Sequence, residues 1–210
     1  MDLAGVDLNG SVFDDVNMLR VNLSHMDLAN ATWGGVNISH DDITNANLER
    51  ANITATGTGA EDFAGANLSG GTLDGKFEAA NFTGVKMGGV NLTFMSAPGA
   101  TFAHANMATA DLGDAVLSRA DFEGANLTKA SGGEAILNGA DLAHVTAVGA
   151  NFAIGNFQHA NLSNANLTAA NFAGANLTGA TLTGAVLAGT DFTGATCPGG
   201  AKAGPPPAKC

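Results

Sequence analysis

The sequence predicts a solenoid, one short unit repeated along the chain, rather than a globular domain around one central core. Three observations lead there. A bulky apolar residue returns at every fifth position, as in "ANLSNANLTAANFAGANLTGATLTG" at residues 160–184. Five matches neither the 3.6-residue period of a helix nor the two-residue period of a strand. The register holds over 40 pentads with a single residue lost, between Leu73 and Phe77 in "LDGKF". Like residues also recur every 20 positions: Phe82, Phe102 and Phe122 fall in one column, joined by Phe63 once the lost residue is allowed for, and Phe152, Phe172 and Phe192 in another. Four pentads therefore complete one coil.

Each position of the pentad has its own physical role. The bulky residue, or centre, is Leu, Ile, Met, Phe or Trp in 35 of 40 pentads. Two residues earlier stands a small residue, usually Ala or Val, which fits beside the centre in a narrow interior. Asn, Asp or Thr commonly precedes the centre, and Gly often follows it at a corner, where a tight turn calls for positive φ. The five exceptional centres are Thr58, Ala97, Gly132, Ala147 and Cys197. Thr58 and Ala97 flank Phe77 in one column, and Gly132 is next to Phe152 in another, so large residues compensate small ones and keep the packing dense.

These residues and motifs resemble those of the pentapeptide-repeat proteins, in which a small residue, Asp or Asn, Leu or Phe, a polar residue and Gly succeed one another. "ADFEG", "ANLTG" and "ATLTG" are direct matches. The resemblance covers residues 1–199 and leaves 200–210 as a Gly/Pro-rich tail. It implies an all-β fold: a right-handed quadrilateral parallel β-helix of about ten coils, four pentapeptides per coil, roughly 48 Å long at strand spacing.

Composition narrows the function. The 210-residue chain has 29 glycines, one Trp, no Tyr and a formal net charge of −11. That charge disfavours nonspecific binding to nucleic acid or to anionic membranes. No apolar run approaches the length of a membrane span, and residues 1–20 lack the pattern of a signal peptide. A tube filled by its own side chains leaves no substrate cavity. The histidines, His25, His40, His104, His144 and His159, fall at corners, too scattered for a metal ion. The expectation is a non-enzymatic protein without metal or cofactor.

Assigning pentads to sides gives the charge a pattern. The Phe63 side carries Asp2, Asp41, Asp42, Glu61, Asp62, Asp121, Glu123 and Asp141, with no Lys or Arg. The opposite Trp33 side carries Asp14, Asp15, Asp74, Asp111, Asp114, Glu134 and Asp191, again without a basic residue. Acidic sides keep a rod soluble and deter stacking. The family resemblance adds another use, because some members protect DNA gyrase from quinolones and are proposed to do so as DNA mimics. In that reading Asp41, Asp42, Glu61, Asp62, Asp121, Glu123 and Asp141 form the contact face. Duplex DNA of the same length would carry roughly 28 charges, about twice what the two acidic sides offer. Neither the protruding loops of the plasmid-borne members nor a helical C-terminal segment is encoded, since three prolines stand at 205–207.

The ends and one irregular pentad complete the candidates. Met1 already lies inside the first pentad, so that end either pairs with another subunit, giving a dimer, or continues from sequence upstream. At the other end "TCPGG" breaks the pattern. Cys197 and Cys210 are then either a disulfide that ties the tail across the end, as the tails of some secreted family members suggest, or a buried apolar residue and a free thiol. A bridge implies an oxidising, extracytoplasmic compartment; gyrase binding implies the cytoplasm. Phe94, in "NLTFMSAPG", is the one Phe off a centre. It is expected to fold inward beside Ala97, the alternative being an exposed contact. Three functions follow: a structural or protein-interaction rod, a gyrase-binding DNA mimic, or a secreted protein with a disulfide-capped end.

Overall fold

The computed structural model describes residues 6–56, 60–204 and 210; Asp2, Thr58 and the prolines at 205–207 lie outside them. The chain is a parallel β-solenoid with no helix among the described residues. Its longer strands are β1 (Val12–Asp14), β2 (Asn17–Leu19), β3 (Thr32–Ser39), β4 (Asn52–Ala55) and β5 (Thr72–Gly75). They pair in parallel in the order β1-β3-β4-β5, with β2 on β3. Beyond them the ladder continues as single parallel bridges from Lys76↔Ser96 to Asn176↔Thr196, each joining residues 20 apart. Four pentads thus make one coil, as the Phe columns predict.

The hydrogen bonds give each pentad position its reason. The N–H of a centre donates to the residue before the centre one coil on, as Leu23 does to the Asp42 carbonyl at 2.7 Å. The residue before the centre donates back to the preceding coil, as Asp42 does to Val21. The small residue three after a centre closes the corner turn, as Ala31 does onto the Leu28 carbonyl. The corner residue itself has φ near +60°, whether it is glycine or not. A side chain there points out of the square, while centre and small residue point in.

The interior is one side chain wide. Phe63, Phe82, Phe102 and Phe122 stack with successive centroids 4.9, 4.9 and 4.8 Å apart, matching strand spacing because each ring sits on its own rung. A Cβ on Gly132 would lie 2.8 Å from the Phe152 ring, so the small centre makes room for its large neighbour. The lost residue is absorbed at Gly75, where φ is +107° and a Cβ would overlap the Ala55 carbonyl. Across that step the spacing becomes 19, as in Asp62↔Asn81.

The tail departs from the expected abrupt end of β pairing. After the turn at Gly200 the chain reverses: Lys202 bridges Thr196 antiparallel, Cys197 donates to the Ala201 carbonyl and Ala203 to Ala195. Cys197 and Cys210 are joined by a disulfide. The reversed strand covers the end of one side, burying Ala195, whereas Leu182 and Leu187 on two other sides stay partly exposed.

Candidate interaction surfaces

The ladders of Asn and Asp before the centres form the outer edge of each side. Their Oδ1 accepts the N–H two residues on, a local turn these side chains favour. Asp42 accepts from Thr44 at 3.1 Å, Asp62 from Ala64 at 3.0 Å, Asp121 from Glu123 at 2.9 Å and Asp141 from Ala143 at 3.0 Å. Asn side chains also link rungs: Asn161 donates to Asp141 and Asn67 to Asn47. The acidic residues in this register therefore hold the coil as well as charging it.

Two of the expected contacts are not on the surface. Asp41 and Glu61 are each 1% exposed. Both stand two residues before a centre, Ile43 and Phe63, a position that is buried in most coils, as at Ala46, Ala66 and Ala80. Asp41 accepts the Val21 N–H at 2.7 Å and the Ser39 N–H at 3.1 Å, the pairing a buried carboxylate requires. Asp42, Asp62, Asp121 and Asp141 are half-buried, and only Glu123 among the seven candidates is exposed.

The Trp33 side is different. Asp14, Asp15, Asp74, Asp111, Asp114, Glu134 and Asp191 are all exposed, so the charge facing solvent is heavier here than on the Phe63 side, where one carboxylate is exposed, four are half-buried and two are buried among the described residues. Asp191 has its carboxyl held below the ordinary aspartate value by the Thr193 hydroxyl first and the Thr193 N–H second. The adjacent carboxylates Asp41–Asp42 and Glu61–Asp62 point in the sequence to the Phe63 side, whereas the residues of the Trp33 side, apart from Asp14–Asp15, are spaced singly. The pentad register was the signal that separates the two sets.

Phe94 does not fold inward. It is 70% exposed, with φ of 63°, because it occupies a corner. Leu92 and Met95 on either side of it are fully buried. Ile154, which the sequence reading passed over, occupies the same corner three coils on and is 65% exposed.

The histidines are corner residues, and each has positive φ. A Cβ at Gly124 would lie 2.6 Å from Nδ1 of His104, so the imidazole lies over the next coil's glycine. No cluster of three metal-ligating side chains occurs among the described residues, and no helix among them is long and apolar enough to cross a membrane.

The sequence matches eight copies of the family described as pentapeptide repeats, over residues 2–32, 17–54, 76–114, 99–131 and 160–196. None of the curated proteins matches it. Among solved structures it is similar to HetL, a pentapeptide repeat protein involved in heterocyst differentiation regulation in the cyanobacterium Nostoc sp. strain PCC 7120. That pair is 27% identical over 96% of this chain and 92% of HetL, with a TM-score of 0.45. It is also similar to a trypsin-treated form of QnrB1, a plasmid-mediated fluoroquinolone resistance protein. The identity is 17% over 86% of this chain and 88% of that one, with a TM-score of 0.56. Full-length QnrB1 gives 16%, 91%, 93% and 0.51 in the same order. The QnrB1 likeness is one of fold.

Proposed function

The chain belongs to the pentapeptide-repeat family, and from that premise we propose that it is a non-enzymatic rod that recognises another protein through its outward faces. One observation carries the reading. Two positions in each pentad are committed to a filled interior, with Phe63, Phe82, Phe102 and Phe122 in continuous ring contact. The remaining positions form flat ladders at fixed spacing, a surface suited to a macromolecule rather than to a small substrate. The test is complementation of a deletion strain by four variants, each with the outward residues of one side replaced by Ser and Thr. Failure of one or two adjoining sides supports the reading, and equal tolerance of all four contradicts it.

A second reading is gyrase binding by DNA mimicry, favoured by the fold shared with QnrB1, a fluoroquinolone resistance protein. On this rod the mimic's charge belongs to exposed Asp111, Asp114 and Glu134 rather than to Asp41 and Glu61. A gyrase supercoiling assay with and without quinolone tests it: protection or inhibition that Asp111→Lys, Asp114→Lys and Glu134→Lys together abolish supports mimicry, and no effect of the wild type rejects it. The Cys197–Cys210 bridge favours the third reading, a secreted protein, because disulfides persist in oxidising compartments. Thiol titration of the protein taken from its source cells separates the two: two free thiols fit the cytoplasm, and none fits export.

A further inference from the structure

Among the described residues, twenty that are not glycine hold φ between 50° and 63° at the corners, and only two of these, Phe94 and Ile154, are large and apolar. The left-handed region disfavours bulky and β-branched residues, which Asn, Asp or Gly would replace with less strain. Neither side chain contributes to the core, because both are mostly exposed. A costly backbone conformation is here combined with an apolar group presented to water, and folding accounts for neither.

Both lie in one corner column, bordering the Trp33 side. Between them on successive rungs are Asp114 and Glu134, exposed and also with positive φ. The rungs are tied by Phe94 N–H to the Gly113 carbonyl, Asp114 to Gly133, Glu134 to Ala153 and Ile154 to Ala173. Next to the column, a Cβ at Gly133 would approach nothing closer than 3.8 Å, leaving a shallow floor of bare backbone. On the other flank Ser96, Val116 and Ile136 are bridged in sequence, with Ile136 also exposed.

We propose that this corner docks an extended protein segment of the pattern apolar-x-basic-x-apolar. Three rungs separate Phe94 from Ile154, roughly 14 Å at strand spacing, and four residues of extended chain span roughly 13 Å with alternate side chains on one face. The two apolar side chains of the segment lie against Phe94 and Ile154. Its Lys or Arg sits between the carboxylates of Asp114 and Glu134, whose like charges on neighbouring rungs repel until a cation lies between them. The proposal rests on the reading of the chain as an interaction rod and names the surface and the partner's chemistry.

The test is fluorescence anisotropy of three labelled nine-residue peptides on the full chain, with Leu-Thr-Arg-Thr-Leu, Leu-Thr-Glu-Thr-Leu or Ser-Thr-Arg-Thr-Ser at the centre. The first is expected to bind at least tenfold more tightly than the others and to weaken with salt. Its binding is expected to fall tenfold or more in a Phe94→Asn/Ile154→Asn variant and in an Asp114→Asn/Glu134→Gln variant. Asn suits the left-handed corner, so the first variant melts at or above the wild-type temperature and lost binding is not lost folding. Equal binding of the three peptides, or none, overturns the proposal. Undiminished binding by the variants moves the site elsewhere and overturns the corner while leaving the rod reading intact; that reading fails only if all four side-replaced variants complement. Self-association of the wild type that Phe94→Asn/Ile154→Asn abolishes would make the occupant a second copy, and also overturns the proposal.

Discussion

The Asn81 side chain donates to Oδ1 of Asp62 at 2.9 Å across the short pentad, where facing residues are 19 rather than 20 apart. The ladder of amide and carboxylate groups thus passes unbroken over the lost residue. The adjustment is made elsewhere in the coil, at Gly75.

Gly75 is the position least able to accept a side chain. Its φ is +107°, and a Cβ would collide with the Ala55 carbonyl. Gly75→Ala is expected to destabilise the rod by about 3 kcal/mol. Gly99→Ala, where nothing lies within 4 Å of the new Cβ, should cost about 1 kcal/mol. Guanidinium denaturation midpoints of the two variants make the comparison; equal losses would mean that the short pentad is not closed at Gly75.

Asp41 should behave as a structural residue and its neighbour as a surface one. Asp41→Ala removes the acceptor for the Val21 and Ser39 N–H groups, at a cost of roughly 3 kcal/mol. Asp42→Ala removes a half-exposed acceptor of Thr44 and should cost about 1 kcal/mol. Paired thermal melts test the difference, and a smaller loss for Asp41→Ala would place its carboxylate in solvent.

Acid should weaken the last coil through Asp191. Its carboxyl is held below the ordinary value by the Thr193 hydroxyl and N–H. A depressed folded-state value stabilises above the unfolded value and is lost as pH falls through the folded one. Thr193→Val removes the hydroxyl donor, so an NMR titration should show the Asp191 carboxyl titrating at higher pH than in the wild type. An unchanged titration would assign the shift to another cause.

The Cys197–Cys210 bridge closes a loop with a sequence separation of 13. In the chain-entropy treatment such a loop contributes about 3 kcal/mol. Reduction should release the antiparallel pairing of Lys202 on Thr196 and speed exchange of the Cys197 and Ala203 amides, leaving the Phe102 and Phe122 coils unaffected. Equal exchange before and after reduction would show that the reversed strand holds without the bridge.

What the sequence made legible was whatever the period constrains. The period of 20, the Phe columns and the Gly132–Phe152 compensation all follow from one rule about which side chains point inward. The same rule placed Asp41 and Glu61 inside, two residues before Ile43 and Phe63, yet their charge suggested the surface. Phe94 was harder to place. Its apolar character argues for burial, but the corner dictates direction whatever side chain it carries, and half its neighbours in that role are not glycine. The reversed strand at Lys202 left no periodic trace, because a single antiparallel bridge after a Gly turn has no pattern to repeat.

The Trp33 side of the rod presents the heavier charge to solvent, and the inner members of the acidic pairs, Asp41 and Glu61, are turned inward. Carbodiimide labelling of carboxyl groups in the native protein, resolved by mass spectrometry, tests this most directly. Asp111, Asp114, Glu134 and Glu123 should label rapidly, and Asp41 and Glu61 only after denaturant is added. Rapid labelling of Asp41 and Glu61 in the native state would contradict the account and return them to the contact surface.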